Sequence, residues 1–161
     1  MPEIYEMAGH LIRRLNQISA SVFADRMARE GRELTPVQFA ALTAVEAEPG
    51  IDQATLAGAI AYDRATIGGV VDRLEQKGLI ERTVSRKDRR ARTVCLTEKG
   101  RGLLDEVRPI VWDLQKDILA GLDPSEQKDL LALLKKATDA GNALARAPLQ
   151  TRDKGEKAKV L

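Results

Sequence analysis

At Gly78 the hydrophobic period of the chain changes, and this switch restricts the fold more than any other feature. Before it, Ile67, Val70, Val71 and Leu74 recur at helical spacing and share one face of a helix that Asp63 can cap. Gly78 itself stands where a left-handed C-cap is expected. After it, Ile80, Arg82 and Val84 alternate along one strand, and Val94 and Leu96 along a second. The loop between the strands is strongly basic. Just upstream, Asp52 can cap a short helix in which Leu56, Ala57 and Ile60 share a face.

The order helix, turn, helix, basic hairpin is that of a winged helix-turn-helix. The rest of the chain reads as helix, so the fold class is mainly α with a small β-wing. Ile4, Ala8, Leu11, Leu15, Ile18 and Val22 form a stripe that predicts a first helix from about Pro2 to Arg29, with Gly31 as its stop. Such a helix carries more apolar surface than one neighbour can cover, which suggests a dimer. Thr35, Pro36 and Gln38 form an N-cap, first-turn proline and capping-box partner, with Leu34 and Phe39 at staple positions, for a second helix ending near Ala47. Thr97 begins a fifth helix carrying Leu103, Leu104, Val107, Ile110, Val111, Leu114 and Ile118, with a bend expected at Pro109. Asp123-Pro124-x-Glu126 opens a sixth that continues through Leu144.

Composition removes several function classes. One Cys and one His exclude an intramolecular disulfide framework, a Cys-based zinc ribbon and a His metal cluster, so no metal or cofactor is expected. No apolar run approaches the roughly 20 residues of a membrane span, and no signal core is present, which predicts a cytoplasmic protein without a membrane partner. Walker, dinucleotide and Gly-x-Ser-x-Gly motifs are absent, so an enzyme is not expected. The net charge of +2 hides a partition: residues 82–92 carry +5 and the tail from Arg146 carries +3, leaving −6 elsewhere. A concentrated cluster attracts a polyanion even on a nearly neutral protein. Taken alone, it is equally a solvated, salt-screened loop.

Position decides between these. Opposite the apolar stripe of the fourth helix lie Arg64, Ala65, Thr66, Gly68, Gly69 and Arg73, a slim polar face able to enter a major groove. Adjacent helical glycines each cost on the order of 1 kcal/mol relative to alanine, so they need a reason. Close approach to DNA is one, and close packing on a neighbouring helix is the other. In the hairpin loop, Arg89 or Arg90 suits a minor-groove contact, Asp88 can hold Arg90, and Arg86, Lys87 and Arg92 suit phosphates.

Residues 63 to 100 closely resemble the signature region of the MarR (multiple antibiotic resistance regulator) family. The elements that carry the resemblance are Asp63-x-x-Thr66, Val71-Asp72-Arg73-Leu74-Glu75, Lys77-Gly78-Leu79-Ile80-Glu81-Arg82, Asp88-Arg89-Arg90 and Leu96-Thr97-x-x-Gly100. The six-helix order extends it over about residues 4 to 145. The resemblance implies a homodimer on a palindromic double-stranded DNA operator, most simply a repressor, with a small-molecule effector. The family's Asp-x-Arg wing motif falls on Asp88 and Arg90, making Arg90 the first choice for the minor groove. It also implies a division into an N-terminal dimerisation helix (1–33), a winged DNA-binding domain (34–97) and C-terminal dimerisation helices (98–147). A tail (148–161) is polar and expected to be disordered.

The family's effector pocket lies between the dimerisation helices and each DNA-binding lobe. There His10 and Arg14, one turn apart, with Arg13 adjacent, can receive a carboxylate, and Tyr5, Phe39 and Trp112 can wall an aromatic guest. The segment from Gly9 to Leu15 resembles that of members responding to aromatic acids. Alternatively these residues only fill core or contact a second copy. Two further alternatives are redox sensing through Cys95, which needs a low thiol pKa and access, and a winged module that binds protein instead of DNA.

Overall fold

The computed structural model describes residues 2–84 and 92–151. Capping chemistry sets most of its element boundaries. Gln38 N donates to Thr35 Oγ1 (3.3 Å) and Thr35 N to Gln38 Oε1 (3.2 Å), so the expected capping box starts α2, Pro36–Ala47. Thr55 N donates to Asp52 Oδ1 (2.9 Å), which starts α3, Gln53–Ala59. Thr97 caps α5, Glu98–Asp113, through Gly100 N, and Asp123 boxes with Glu126 at the head of α7, Pro124–Gly141. The remaining elements are α1 (Ala8–Arg29), β1 (Ile51–Asp52), α4 (Ile67–Gln76), β2 (Ile80–Val84), β3 (Arg92–Leu96) and α6 (Gln115–Ile118).

The three strands form an antiparallel sheet in the order β1-β3-β2. Ile80 pairs with Leu96, Arg82 with Val94 and Val84 with Arg92, so the alternating residues of the hairpin lie on one face. That face is buried at Ile80, Val94 and Leu96 and opens to solvent at Val84, toward the loop. One core joins α2, α3, α4 and the sheet: Leu42, Leu56, Ile67, Val71, Leu74 and Val94 are all essentially inaccessible. Phe23 and Met27 from α1, and Leu104, Val107 and Leu114 from the other side, attach to it.

The family signature has a packing reason at its end. Gly78 adopts the left-handed conformation expected of it (φ 70°), and its carbonyl accepts from Thr97 Oγ1 (2.7 Å). A Cβ on Gly100 would stand 2.0 Å from the Leu79 carbonyl oxygen, so the start of α5 can approach the end of α4 only as glycine. The Thr97-x-x-Gly100 and Gly78-Leu79 motifs are thus two sides of one contact.

Several expectations need correction. The first helix is not continuous from Pro2: Glu3–Glu6 is a 3-10 turn and Met7 is extended (φ −77°, ψ 128°) before α1 begins. A stripe of three- and four-residue steps fixes a face but not continuity, and Gly9 weakens helix at the junction. Asp63 does not cap α4. Its Oδ1 accepts from Ala65 N (2.7 Å) and organises the preceding turn, so α4 starts at Ile67. The fifth helix does not run unbroken to Ile118: Pro109 lies inside α5, and the helix is interrupted at Leu114. That side chain is fully buried, and Arg26 bridges Asp113 and Asp117 across the break. The last helix ends at Gly141, and Asn142–Leu144 form a 3-10 turn. The start of the tail is held rather than free. Leu149 N donates to Asn142 Oδ1 (2.8 Å), Asn142 Nδ2 to Leu149 O (2.9 Å) and Gln150 N to Gly58 O (2.9 Å).

Candidate nucleic-acid interface

Helix α4 buries Ile67, Val70, Val71 and Leu74 under α2 and α3 and turns its other side outward. Arg64, Ala65 and Thr66, expected on this helical face, lie instead in the turn ahead of α4; they are exposed, as are Gly69 and Arg73, and Gly68 is half-buried. The two glycines have different surroundings. A Cβ on Gly68 would touch the end of the Gln53 side chain at 3.4 Å, an ordinary contact. Among the described residues, a Cβ on Gly69 would meet nothing within 4 Å. Packing among them therefore does not require glycine at position 69, and they give the close-packing explanation no support there. What remains is an open groove-sized face with cations at either end.

The hairpin is fixed to this helix by electrostatics. Arg82 on β2 bonds Asp72 of α4 (2.8 Å) and Glu75 of α4 (Nε to Oε2, 2.9 Å). The hydrogen bond from Arg82 is the main cause that holds the Glu75 carboxyl below its ordinary pKa, and the same pair raises that of Arg82. Arg82 was part of the basic run in sequence, but its charge is matched within the chain. It orients the wing against α4 and is not free for phosphate. Thr83 and Thr93 hydroxyls meet across the strands (2.9 Å). Arg92 is exposed at the end of β3. Arg86, Lys87, Asp88, Arg89 and Arg90 lie outside the described residues.

The expected effector residues are only partly gathered. Tyr5 and His10 meet edge to face with ring centroids 5.5 Å apart, and His10 Nε2 is buried without a hydrogen-bond partner among the described residues. Arg13 is engaged by Gln17 (3.0 Å), and Arg14 is exposed. Phe39 packs on Phe23 (6.4 Å) at the margin of the core, whereas Trp112 is 74% exposed on α5. Cys95 is half-buried and pairs across the sheet with Glu81. Among the described residues no acidic, His or Cys group is arranged for a metal ion, and no helix is long and apolar enough to cross a membrane.

The sequence model of the MarR family matches residues 34–91, the helix-turn-helix and wing. Beyond that segment, the chain is 33% identical to the HTH-type transcriptional repressor NicR of Pseudomonas putida over 86% of both proteins. The chain belongs to the MarR family. Two solved structures share the fold of this chain. Bordetella bronchiseptica BpsR, whose DNA binding is regulated by 6-hydroxynicotinic acid, superposes with a TM-score of 0.76 at 32% identity, covering 83% of this chain and 94% of BpsR. The transcriptional repressor CouR, bound to a 23-mer DNA duplex, gives 0.74 at 33% identity, covering 87% of this chain and 96% of CouR. The fold is therefore a winged helix-turn-helix flanked by terminal helices.

Missing from the sequence reading were β1 and the docking of the C-terminal segment. Ile51 pairs with Val94 and Asp52 with Thr93. A two-residue strand has no period to detect. The only signal for the docking was Gly58, a helical glycine whose added Cβ would lie 2.7 Å from Gln150 Oε1.

Proposed function

We propose that this protein is a ligand-responsive transcriptional repressor that binds a palindromic operator as a homodimer and leaves it on binding a small aromatic carboxylate. The observation that carries the reading is the outward face of α4, slim, cationic at both ends and open at Gly69, on a helix whose opposite face is sealed into the core. Two such helices fit successive major grooves when half-sites lie one helical turn, about 34–36 Å, apart. Arg64, Thr66 and Arg73 then reach base edges or phosphates, and Ala65, Gly68 and Gly69 allow the helix to sit deep. Arg90, held by Asp88, enters the minor groove, while Arg86, Lys87, Arg89 and Arg92 neutralise phosphates.

BpsR supports the aromatic-acid assignment by its relatedness, and His10 supports it physically. A buried imidazole nitrogen without a partner is costly and calls for one from a guest or a second copy. Tyr5 stacks beside it, and Arg14 one turn later supplies charge for a carboxylate. Phe39, Trp112 and Arg13 complete the proposed set, Trp112 being open to a guest or partner copy because it is so exposed. Effector binding would favour a lobe separation that no longer matches the operator, and a coupling of about 1–3 kcal/mol weakens binding about 5- to 150-fold.

The test is an anisotropy titration of the DNA upstream of the protein's own gene, repeated with 6-hydroxynicotinic acid and a panel of aromatic carboxylates and their thioesters. Saturable binding with a steep salt dependence, reversed by at least one acid, is the expected result. Absence of binding at low salt would favour a protein-interaction module. Arg14→Ala should remove the ligand-induced rise in thermal stability, and an undiminished rise would take Arg14 out of the pocket.

A further inference from the structure

We infer that Arg146 and Gln150, on the segment that returns from α7, are positioning residues for operator recognition: they hold the turn between α3 and α4 in the form that presents Arg64, Ala65 and Thr66. This rests on the DNA-binding reading above. The three presented residues are exposed, so burial does not fix them. Asp63 does. Its carbonyl accepts from Thr66 N (3.1 Å), Thr66 Oγ1 (3.1 Å) and Ile67 N (3.0 Å), and its Oδ1 accepts from Ala65 N (2.7 Å). Two residues earlier, Ala61 takes the left-handed backbone (φ 51°), which a Cβ disfavours, so the surroundings must hold the turn in place.

The returning segment grips the turn on both sides of Ala61. Before it, Gln150 N donates to Gly58 O (2.9 Å), the carbonyl that also accepts from Ala61 N (3.2 Å). After it, Arg146 pairs with Asp63 Oδ2 (2.7 Å), which leaves Oδ1 to Ala65. The segment is itself closed onto the end of α7: Leu149 N donates to Asn142 Oδ1 (2.8 Å) and Asn142 Nδ2 to Leu149 O (2.9 Å). The end of the last helix thereby sets the geometry of the recognition element in the same chain.

The fit is specific. A Cβ at position 58 would stand 2.7 Å from Gln150 Oε1 and 3.1 Å from Gln150 Cβ, and a glycine is kept there although alanine would favour the helix. The Arg146 side chain is 87% exposed, so its ion pair adds little to global stability. What it fixes is the direction of the Asp63 carboxylate.

The experiment titrates a duplex from the DNA upstream of the gene at several salt concentrations, with thermal melts alongside. It uses the full chain and its Arg146→Ala, Arg146→Lys, Asp63→Asn, Arg146→Ala with Asp63→Asn, and Gly58→Ala variants. Asparagine at position 63 can still accept from Ala65 N but carries no charge for Arg146. Arg146→Ala should weaken binding about tenfold with little change in salt slope or melting temperature, and the double variant should be no weaker than Asp63→Asn alone. Arg146→Lys should retain most of the affinity. Amide exchange at Ala65 and Thr66 in the free protein should quicken in Arg146→Ala. Gly58→Ala should weaken binding despite its better helix propensity, and undiminished binding would overturn the role of Gln150. Additive losses in the double variant, with a salt slope lower by about 1 per copy, would make Arg146 a phosphate contact and overturn its positioning role. Unchanged affinity in Arg146→Ala, whatever its melting temperature, would overturn that role and leave the repressor reading intact. A wild-type chain that does not bind the duplex would overturn both.

Discussion

Helices α4 and α7 both carry apolar stripes, yet α4 buries Ile67, Val70, Val71 and Leu74 whereas no residue of α7 is buried. The same contrast separates the C-terminal half of α1, with Phe23 and Met27 in the core, from the N-terminal segment, where Ile4, Tyr5, Met7, Leu11 and Ile12 are exposed. Leu131, Leu133 and Trp112 are exposed as well. The winged lobe buries its apolar stripes within one chain. The terminal helices do not, and exposed apolar side chains in this number mark a place for another protein surface. A second copy is the simplest occupant and brings two α4 helices to one operator.

The largest effect that could break this contrast is on assembly. Ile12→Asp combined with Leu133→Asp should yield monomers in sedimentation and reduce operator affinity toward the non-specific level, about 1,000-fold or more. A dimer that still binds would show that these faces are not the interface. Within the lobe, Leu74→Ala should destabilise by about 2–5 kcal/mol in denaturant unfolding, because it empties a site with no access to solvent. An equal loss for Leu131→Ala in the monomeric double variant would erase the distinction between the regions.

Arg90→Ala should weaken operator binding by about 1–3 kcal/mol and lower the salt slope by about 1 per copy, read from titrations at several salt concentrations. Gly69→Ala separates stability from function most sharply. Because its Cβ would enter open space, helix propensity predicts a gain of up to about 1 kcal/mol in thermal unfolding, while the methyl group should weaken binding to DNA. Loss of stability, or undiminished binding, would contradict the interface.

The smallest effect concerns the clamp between wing and helix. Glu75 has a depressed pKa through its hydrogen bond from Arg82, so its contribution to stability is present above the ordinary carboxylate pKa and is lost as pH falls through the lower folded value. Thermal melts of the wild-type protein and Glu75→Gln should therefore differ at neutral pH and converge only once the pH falls below the ordinary carboxylate range.

How much the sequence disclosed depends on the range of each interaction. The capping box at Thr35 and Gln38 is complete within four residues and was legible, as were the stripe of α4 and the alternation of β2 and β3. Asp63 was misplaced because an aspartate before a helical stripe caps either the helix or the turn ahead of it, and only the backbone path decides. Arg82 was counted with the wing cations because its partners, Asp72 and Glu75, face it only once the hairpin folds on α4. The bond from Gln150 to Gly58 joins distant parts of the chain and leaves no periodic trace.

Hydroxyl-radical footprinting of the protein on the DNA upstream of its gene tests the central claim most directly. Two protected patches on one face of the duplex, one helical turn apart and symmetric about a palindrome, are the predicted result, with weakened minor-groove protection in Arg90→Ala. Protection of a single half-site, or none at concentrations where the protein is dimeric, would contradict a paired grip by two α4 helices and their wings.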